Sequence, residues 1–306
     1  MHGPRAPVGG PCCRGRALPS PAEAHPSPFG AHRPGCRVNR GRIVKPRGII
    51  EFRMALGRRA RASRSVAPVG VRPNWEDYPG EVREVFGRAG RIYYPSILYE
   101  EICRTLGKET FPRGYYRFMG NKILQTQLFQ LLEIPHPRTR LFQGRHSLER
   151  IKESFAYPFV AKTPVGSSQG KGVFFIEGDP ELLQYLDRHR TAYIQEYLPI
   201  DRDLRVVVIG GRVVHAYWRV PRPGNFRTNV AQGAAIRFED IPSEGLEFAV
   251  EVARKCSFDE VGMDICRHDD RYFILEANMV YGLEGFRQAG LDLHAILGEM
   301  LDDDLI

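Results

Sequence analysis

The chain has 306 residues, 42% of them hydrophobic and 26% charged, which is enough for one large or two small globular domains. Its formal charge of +8 is unevenly distributed, because residues 1–73 carry 15 Lys and Arg against two acids and the remaining residues carry a net charge of −5. The basic character therefore belongs to the N-terminal segment, and a strongly basic nucleic-acid-binding core is excluded as the leading hypothesis.

The N-terminal segment is also rich in proline and glycine, which supply 21 of its 73 residues. This composition predicts a disordered tail, with ordered structure beginning near Trp75. The Arg-rich, acid-poor start has the composition of an organellar transit peptide, but its prolines disfavour the amphipathic helix that such a peptide needs. We favour a flexible tail or an extension upstream of the true start. General electrostatic attraction to nucleic acid or an anionic membrane is the weaker alternative.

The apolar runs and the cysteines restrict the cellular environment. Runs such as residues 206–209 are much shorter than a membrane-spanning helix requires. The six cysteines form no CxxC pair and have no metal-ligand spacing, which favours a reducing compartment. We therefore expect a cytoplasmic protein with no specific nucleic-acid or membrane partner, and its oligomeric state is left open.

Taken in chain order, the first predicted elements are a β-type run at residues 91–94 and a helix over residues 96–107 with Ser96 as its N-cap. A second helix is predicted from about Asn121 to Glu133, because its leucines and isoleucines recur at helical spacing. The proline-rich stretch that follows ends this helix.

Beyond residue 134, short strands alternate with a few helices. The predicted strands cover residues 159–162, 173–176, 193–198, 203–209, 212–219, 260–267 and 272–276. Gly210-Gly211 is a strong two-residue hairpin signal between two of them. Because hairpins dominate, we predict the α+β fold class with antiparallel sheets rather than a doubly wound parallel sheet.

A glycine-rich loop joins the strands predicted at 159–162 and 173–176, and its sequence is Gly166-Ser167-Ser168-Gln169-Gly170-Lys171-Gly172. It is not a Walker A loop, because Lys171 precedes a glycine and a strand follows. It is not a dinucleotide fingerprint, because Phe175 occupies the place of the third glycine. Glycine and serine allow backbone and hydroxyl donors to approach phosphate. Taken alone, phosphate binding and a plain surface hairpin are equally supported.

Acidic residues form a second candidate site on the last predicted hairpin. If Asp269-Asp270-Arg271 is its loop, Cys266 faces Ile274 and Asp264 faces Glu276, with Asn278 on the same face. Opposed carboxylates are destabilising unless a cation neutralises them. Three oxygen donors suit Mg²⁺. The simpler alternative is that these side chains bond turn backbone, and a one-residue slip in register would remove the metal site.

Three arginines complete the set of candidates. Arg205 and Arg219 lie on partner strands, and Arg227 follows in the next loop. Guanidinium groups bind carboxylates and phosphates with two-point geometry. Each arginine alone fits a solvated surface position, but together, beside an acidic metal face, they indicate a site for phosphate and carboxylate. His215, on a predicted strand, is interpreted as a packing residue.

The order of these motifs resembles that of the ATP-grasp enzymes, and most closely the RimK-type branch, which joins amino acids to a carboxylate. The resemblance covers residues 118–306. It is carried by Ala161-Lys162, the 166–172 loop, Gln195-Glu196-Tyr197-Leu198, Asp203-Leu204-Arg205, Phe226-Arg227-Thr228-Asn229-Val230, Gly262-Met263-Asp264, Leu275-Glu276-Ala277-Asn278 and Gly282-Leu283-Glu284-Gly285.

The resemblance implies a domain organisation. An ATP-grasp domain of two subdomains, at about 118–190 and 191–306, would follow a short, partial α/β segment at 74–117 and the disordered tail at 1–73. Where relatives have a small residue and a proline after the asparagine, this chain has Met279-Val280-Tyr281. This departure lies beside the acceptor site and leaves the substrate open.

The resemblance also implies the roles of individual residues. Mg²⁺, as two ions bridged by Glu276 and replaceable by Mn²⁺, would be held by Asp264, Glu276 and Asn278. Arg205, Arg219 and Arg227 would be catalytic. ATP would be bound by Lys122 and Lys162, by Gly166, Ser167, Ser168, Gln169, Gly170 and Gly172 of the loop, by Gln195, Glu196, Tyr197 and Leu198 as the adenine hinge, and by Asp203, Arg227, Thr228 and Asn229.

The expected reaction is an ATP-dependent ligation of an amino acid or amine to a small-molecule or protein carboxylate through an acyl phosphate. Phosphoryl transfer depends mainly on positioning and charge neutralisation, which lysines and Mg²⁺ supply. Two alternatives remain: a kinase that phosphorylates a hydroxyl, and a non-catalytic ATP-binding regulatory module. The complete acidic set weighs against the regulatory module.

Overall fold

The described part of the chain contains three sheets, nine α-helices and two short 3-10 helices. The computed structural model describes residues 53–144, 147–166, 172–222 and 233–306. The helices there are α1 Gly80–Arg88, α2 Ser96–Thr105, α3 Tyr115–Phe118, α4 Lys122–Leu131, α5 Ser147–Ser154, α6 Asp179–Arg188, α7 Ser243–Cys256, α8 Glu284–Gln288 and α9 Leu293–Asp302. Within these ranges no helix has both the length and the apolar character that crossing a bilayer demands.

The strands, again in chain order, alternate with these helices. They are β1 Met54–Ala55, β2 Ala67–Pro68, β3 Arg91–Tyr93, β4 Glu109–Phe111, β5 Thr139–Gln143, β6 Phe159–Lys162, β7 Val173–Ile176, β8 Thr191–Glu196, β9 Asp203–Ile209, β10 Arg212–Val220, β11 Ala235–Arg237, β12 Glu260–His268 and β13 Arg271–Asn278.

A small parallel sheet opens the described chain, in the order β2-β1-β3-β4. Its first two strands lie within residues 53–73, so ordered structure starts before Trp75 and the predicted boundary of the disordered tail is wrong there. Long-range contacts explain the error. Asp302 accepts hydrogen bonds from the backbone N–H groups of Arg64 and Ser65 and from the hydroxyl of Ser63, and so ties this segment to α9. Residues 1–52 lie outside the described ranges.

The second sheet is antiparallel, in the order β5-β8-β6-β7, and its inner face packs against α5 and α6. β8 pairs with both β5 and β6, so residues 191–196 belong to the first ATP-grasp subdomain. The predicted boundary at 190 therefore lies too early, because it separates β8 from the strands with which it pairs.

The third sheet is antiparallel in the order β11-β10-β9-β12-β13 and confirms the predicted fold class. All seven residues of β9 are buried. Leu204, Val206 and Val208 pack towards α7, whereas Val207 and Ile209 pack towards α9. The predicted Gly210-Gly211 hairpin joins β9 to β10, and both glycines have positive φ angles of 56° and 73°.

The predicted starts of two helices had different outcomes, and α4 begins next to Asn121 as predicted. Asn121 caps α4, because its Oδ1 accepts a hydrogen bond from the N–H of Leu124 at 3.1 Å. At α2 the predicted Ser96 cap is wrong: Pro95 occupies the N-cap and Ser96 is the first helical residue, with a φ of 69°.

The β12–β13 hairpin has a different register from the predicted one. Its turn contains two residues, Asp269 and Asp270, both with positive φ, and Cys266 faces Phe273 instead of Ile274. A β-bulge at Leu275 then restores the predicted pairing of Asp264 with Glu276. The pairing that matters for the site is therefore correct, although the predicted loop is wrong.

Candidate active site

A cleft between the second and third sheets is lined by six of the nine predicted ATP-binding residues that the structure describes. Val160 and Lys162 of β6 and the end of β8 form one wall, and β9, β10, β12 and β13 form the other. The predicted site residues that line this cleft are Lys162, Gln195, Glu196, Tyr197, Leu198, Asp203, Arg219, Asp264 and Glu276.

Two buried lysines, one from α4 and one from β6, contact residues of β13. Lys122, the first residue of α4, places its Nζ 2.8 Å from the carboxylate of Glu276. The Nζ of Lys162 donates to the carbonyl of Leu275 at 3.4 Å. Burial lowers the pKa of Lys162 to about 8, against the raising effect of Glu276. The ammonium group of Lys162 is therefore placed where an anionic ligand would favour its charged form.

The carboxylate of Asp264 lies between two arginines. Arg205 Nε donates to its Oδ1 at 2.5 Å, and Arg219 contacts its Oδ2 at 2.9 Å. Burial alone raises the pKa of Asp264, but the two guanidinium groups outweigh it and hold the pKa below its ordinary value. Asn278 donates to the Oδ2 of Asp264 at 3.3 Å, so the three predicted metal ligands Asp264, Glu276 and Asn278 lie on one strand pair.

Asp203 and Arg219 form a second buried ion pair that extends this set. They face each other across β9 and β10, and both oxygens of Asp203 accept from Arg219, at 2.7 and 2.6 Å. Burial lowers the pKa of Arg219, but Asp203 and Asp264 raise it above its ordinary value. Arg219 thus stays charged and connects two carboxylates of the cleft.

The β-bulge at Leu275 explains how two successive residues reach the cleft. In a regular strand Leu275 and Glu276 would point to opposite faces, but both line the cleft. With the observed two-residue turn and no bulge, Asp264 would face Leu275, and Glu276 would lie on the other side of the sheet. The bulge therefore creates the acidic pair.

In the predicted adenine hinge, the side chains of Gln195 and Glu196 form hydrogen bonds with other residues of the protein. Gln195 donates to the hydroxyl of Thr139 at 2.9 Å, and Glu196 accepts from the N–H of Arg138 at 2.6 Å. The N–H of Glu196 donates to the carbonyl of Arg138. A base in the cleft would consequently meet the backbone beyond this N–H, at Tyr197 and Leu198.

Parts of the predicted phosphate site lie at the ends of undescribed segments. Gly166 has a φ of 76° and donates to the carbonyl of Gly120, and the carbonyl of Gly172 accepts from Thr163. These contacts fix both ends of the glycine-rich loop. The predicted residues Ser167, Ser168, Gln169, Gly170, Arg227, Thr228 and Asn229 lie outside the described residues.

Several apolar residues of the cleft escaped sequence analysis. Val160, Val173 and Ile200 line it beside the polar residues. Val160 precedes Lys162 by two positions on β6 and therefore shares its face, a signal that strand alternation offered. Ile200 has no such signal, because it lies in an irregular segment.

A second, larger cavity of about 1090 Å³ opens on the other side of the arginine pair. Arg219 lines both the cleft and this cavity, which also contains Arg205 and Asn278. The predicted site residues thus divide between two neighbouring spaces. A further cleft of about 660 Å³ near α2 contains none of them, and several of its charged residues pair with each other, as Arg113 does with Asp259.

The donor set fits a divalent cation that arrives with an anionic ligand. In the described part of the chain, no group of three or more His, Cys, Asp and Glu side chains forms a metal site, so the candidate ligands are two carboxylates and one amide. Glu276 contacts Lys122, and Asp264 contacts two arginines, so each carboxylate already has a cationic partner. If the phosphates of a bound ligand drew Lys122 and the arginines away, the carboxylates of Glu276 and Asp264 could bind a hard divalent cation instead.

The arrangement of two antiparallel sheets around such a cleft defines the class of protein: the fold is the ATP-grasp fold. A RimK-domain ATP-grasp protein from Sphaerobacter thermophilus has the same fold, with a TM-score of 0.57, 15% identity and coverage of 81% of this chain and 98% of that one. The ATP-grasp ligase PsnB, solved with a precursor variant, Mg and ADP, gives a TM-score of 0.53 and 19% identity, covering 71% of this chain and 80% of its own.

The sequence model of the RimK-like ATP-grasp domain matches residues 119–301, and the chain belongs to this family. Beta-citrylglutamate synthase B of Danio rerio is 31% identical over 178 residues, which cover 55% of this chain and 44% of the relative. The ribosomal protein bS6–L-glutamate ligase of Escherichia coli is 34% identical over 151 residues, covering 47% and 49%. The chain thus spans about half the length of the curated relatives it matches.

Proposed function

We propose that the chain is a Mg-ATP-dependent carboxylate–amine ligase that works through an acyl phosphate. The observation that carries this proposal is the cleft in which Lys162, Asp203, Asp264 and Glu276 converge beside the 195–198 hinge. The names of the relatives support L-glutamate as the amine donor, because they are glutamate ligases or synthases of glutamate conjugates.

The residue roles follow from the contacts in the cleft. Lys122 and Lys162 would bind the ATP phosphates, and the 166–172 loop, with Arg227, Thr228 and Asn229, would cover them. Adenine would lie against Val160 and read the backbone of Tyr197 and Leu198. Asp203 would orient Arg219 and lie on the ribose side of the nucleotide.

Asp264, Glu276 and Asn278 would hold Mg²⁺, with Glu276 bridging a second ion, and Mn²⁺ could replace it. When bound, the ion supplies neutralisation of the phosphate charge. Its attraction for Asp264 would loosen the hold of this carboxylate on Arg205 and Arg219. These arginines face the second cavity, where they would orient the carboxylate of the acceptor.

Two steps complete the proposed reaction. An oxygen of the acceptor carboxylate attacks the γ-phosphorus of ATP, the bond to the β-phosphate oxygen breaks, and ADP leaves. The amine nitrogen then attacks the acyl carbon, and inorganic phosphate leaves as the amide forms and the nitrogen loses a proton. Burial of the reacting groups protects the acyl phosphate from water.

The test measures ADP formation and amide product with Mg-ATP, L-glutamate and a pool of carboxylates. Glu276→Ala is expected to reduce turnover by at least about a hundredfold, because it removes a ligand of the phosphate-neutralising ion. Glu251→Ala is the matched control, since Glu251 is an exposed helical residue that pairs with Lys255. Full turnover in Glu276→Ala, or a stable phosphorylated hydroxyl as the product, would refute the proposal.

A further inference from the structure

The cavity beyond the arginine pair has an unusual apolar rim. Val280, Leu283 and Leu291 line it and expose 59%, 41% and 40% of their surface. They come from the loop after β13 and from the ends of α8. Exposed apolar side chains gathered around one cavity indicate that a ligand covers them.

The inner end of the same cavity contains two arginines, and both are already paired with carboxylates of the protein. Arg205 and Arg219 are 6% and 3% exposed, and each is already balanced by Asp264 or Asp203. Only a competing cation at Asp264 would release a guanidinium group for a ligand. The inner end can therefore neutralise about one carboxylate.

The charged residues of the rim form ion pairs or hydrogen bonds with other residues of the protein. Glu284 pairs with Arg287 and accepts from Gln288 at 2.8 Å. Asp292 accepts from the N–H of His294 and so caps α9. Among the described residues that line the rim, the one cation, Arg287, is paired with Glu284, so a second carboxylate on a ligand would have to compete with Glu284 for it.

The aromatic wall of the cavity is rigid. The Tyr281 hydroxyl donates to the fully buried Glu260 at 3.0 Å, and Glu260 also accepts from Tyr94 at 2.8 Å and pairs with Arg59. Tyr217 forms another part of the wall and is 3% exposed. A fixed wall selects ligands by shape at little entropic cost.

We infer that the acceptor of this chain is a monocarboxylate with an apolar body about the size of a short peptide. Its carboxylate binds at Arg205 and Arg219, and its apolar part covers Val280, Leu283 and Leu291. The volume of about 1090 Å³ is that of a site for a drug-sized ligand together with an amine donor. The inference rests on the proposed ligase function. It distinguishes this chain from relatives whose names contain citryl and N-acetylaspartyl groups.

The first experiment compares acceptors at fixed Mg-ATP and L-glutamate. N-acetyl-Leu-Phe carries one carboxylate on an apolar body, citrate and N-acetylaspartate carry several carboxylates, and N-acetyl-Leu-Phe amide carries none. We expect kcat/KM for ADP release to be at least about tenfold higher with N-acetyl-Leu-Phe than with citrate or N-acetylaspartate, and no turnover with the amide. Preference for the polycarboxylates would overturn the inference and leave the ligase function standing.

The second experiment removes the apolar rim. The double variant V280S/L291S is expected to raise KM for N-acetyl-Leu-Phe about tenfold and to leave KM for ATP unchanged. The control is L131S/L183S, whose leucines are 82% and 48% exposed and lie on α4 and α6, away from the cavity. An unchanged KM for the peptide in V280S/L291S would overturn the inference.

Calorimetry distinguishes a failure of the ligase function from a failure of the inferred acceptor. With Mg-ADP bound, N-acetyl-Leu-Phe is expected to bind at least about tenfold more tightly than citrate, whether or not turnover occurs. Tight peptide binding without any amide product would contradict the ligase function alone. Weaker binding of the peptide than of citrate would contradict the inferred acceptor.

Discussion

Raising the pH should weaken nucleotide binding through Lys162. This residue is 8% exposed at the base of the cleft, and burial lowers its pKa to about 8 even though Glu276 raises it. Bound phosphates would favour the protonated form and raise the pKa again. Binding then takes up a proton, so the affinity is full below pH 8 and falls as the pH rises above it.

The size of this effect follows from the two pKa values. If the phosphates restore the ordinary value of 10.5, the affinity should fall about twentyfold between pH 7.5 and 9.5, and about 300-fold once both forms are deprotonated. Phosphate groups, with a second pKa near 6, stay ionised throughout the range. The pH dependence of the affinity therefore reflects a group of the protein and not the nucleotide.

The assay is titration calorimetry with Mg-ADP at pH 7.5, 8.5 and 9.5, repeated in buffers of different ionisation enthalpy to count the proton taken up. Lys162→Met keeps an unbranched chain but removes the ammonium group, and it should bind weakly with little pH dependence. A wild-type affinity that is constant from pH 7.5 to 9.5 would refute the reasoning. The same slope in Lys162→Met would assign the titration to another group.

Two further predictions concern stability. Asp302→Asn should lower the melting temperature at pH 7, because hydrogen bonds from residues 63–65 hold the pKa of Asp302 below its ordinary value. The difference from wild type should shrink as the pH falls below 3.8 and vanish only after the pH has passed through the lowered pKa of the folded state, and a constant difference would contradict this origin. Gly285→Ala should cost about 1–3 kcal/mol in urea unfolding, because the added Cβ would overlap the ring of Tyr217. Gly282→Ala, with open space around it, is the control, and equal losses would contradict the packing argument.

The sequence was most informative where the controlling interactions are local. The Gly210-Gly211 hairpin and the start of α4 near Asn121 are each set by residues within a few positions, and both were predicted. The convergence of Lys162 with Asp264 could be expected only from the resemblance, because these residues lie on different sheets. Periodicity assigns a side chain to a face but does not bring two sheets together.

The hairpin that carries Glu276 shows where sequence reasoning was correct for the wrong reason. A three-residue loop and a two-residue turn followed by a bulge both place Asp264 opposite Glu276. Alternation alone cannot distinguish them, because the extra residue in the loop and the extra residue at Leu275 shift the register equally. The difference matters for the site, because Leu275 is the bulged residue and its carbonyl accepts from Lys162.

The first described segment shows why composition failed at 53–73. Arg53 donates to the carbonyls of Leu301 and Ile306, more than 240 positions away. Its neighbour in the segment, Arg59, pairs with Glu260, which also holds Tyr281. Proline and arginine content predicts that such a segment lacks a core of its own, which is true. Its order comes instead from contacts with later residues, because β1 pairs with β3 and packs with Tyr78 and Phe86, and because Arg53 and Arg59 bond to residues of the ATP-grasp domain. Through Glu260, Arg59 also helps to hold Tyr281 in the wall of the second cavity. We therefore expect the shape of the proposed acceptor site to depend on residues that precede the RimK-like ATP-grasp domain.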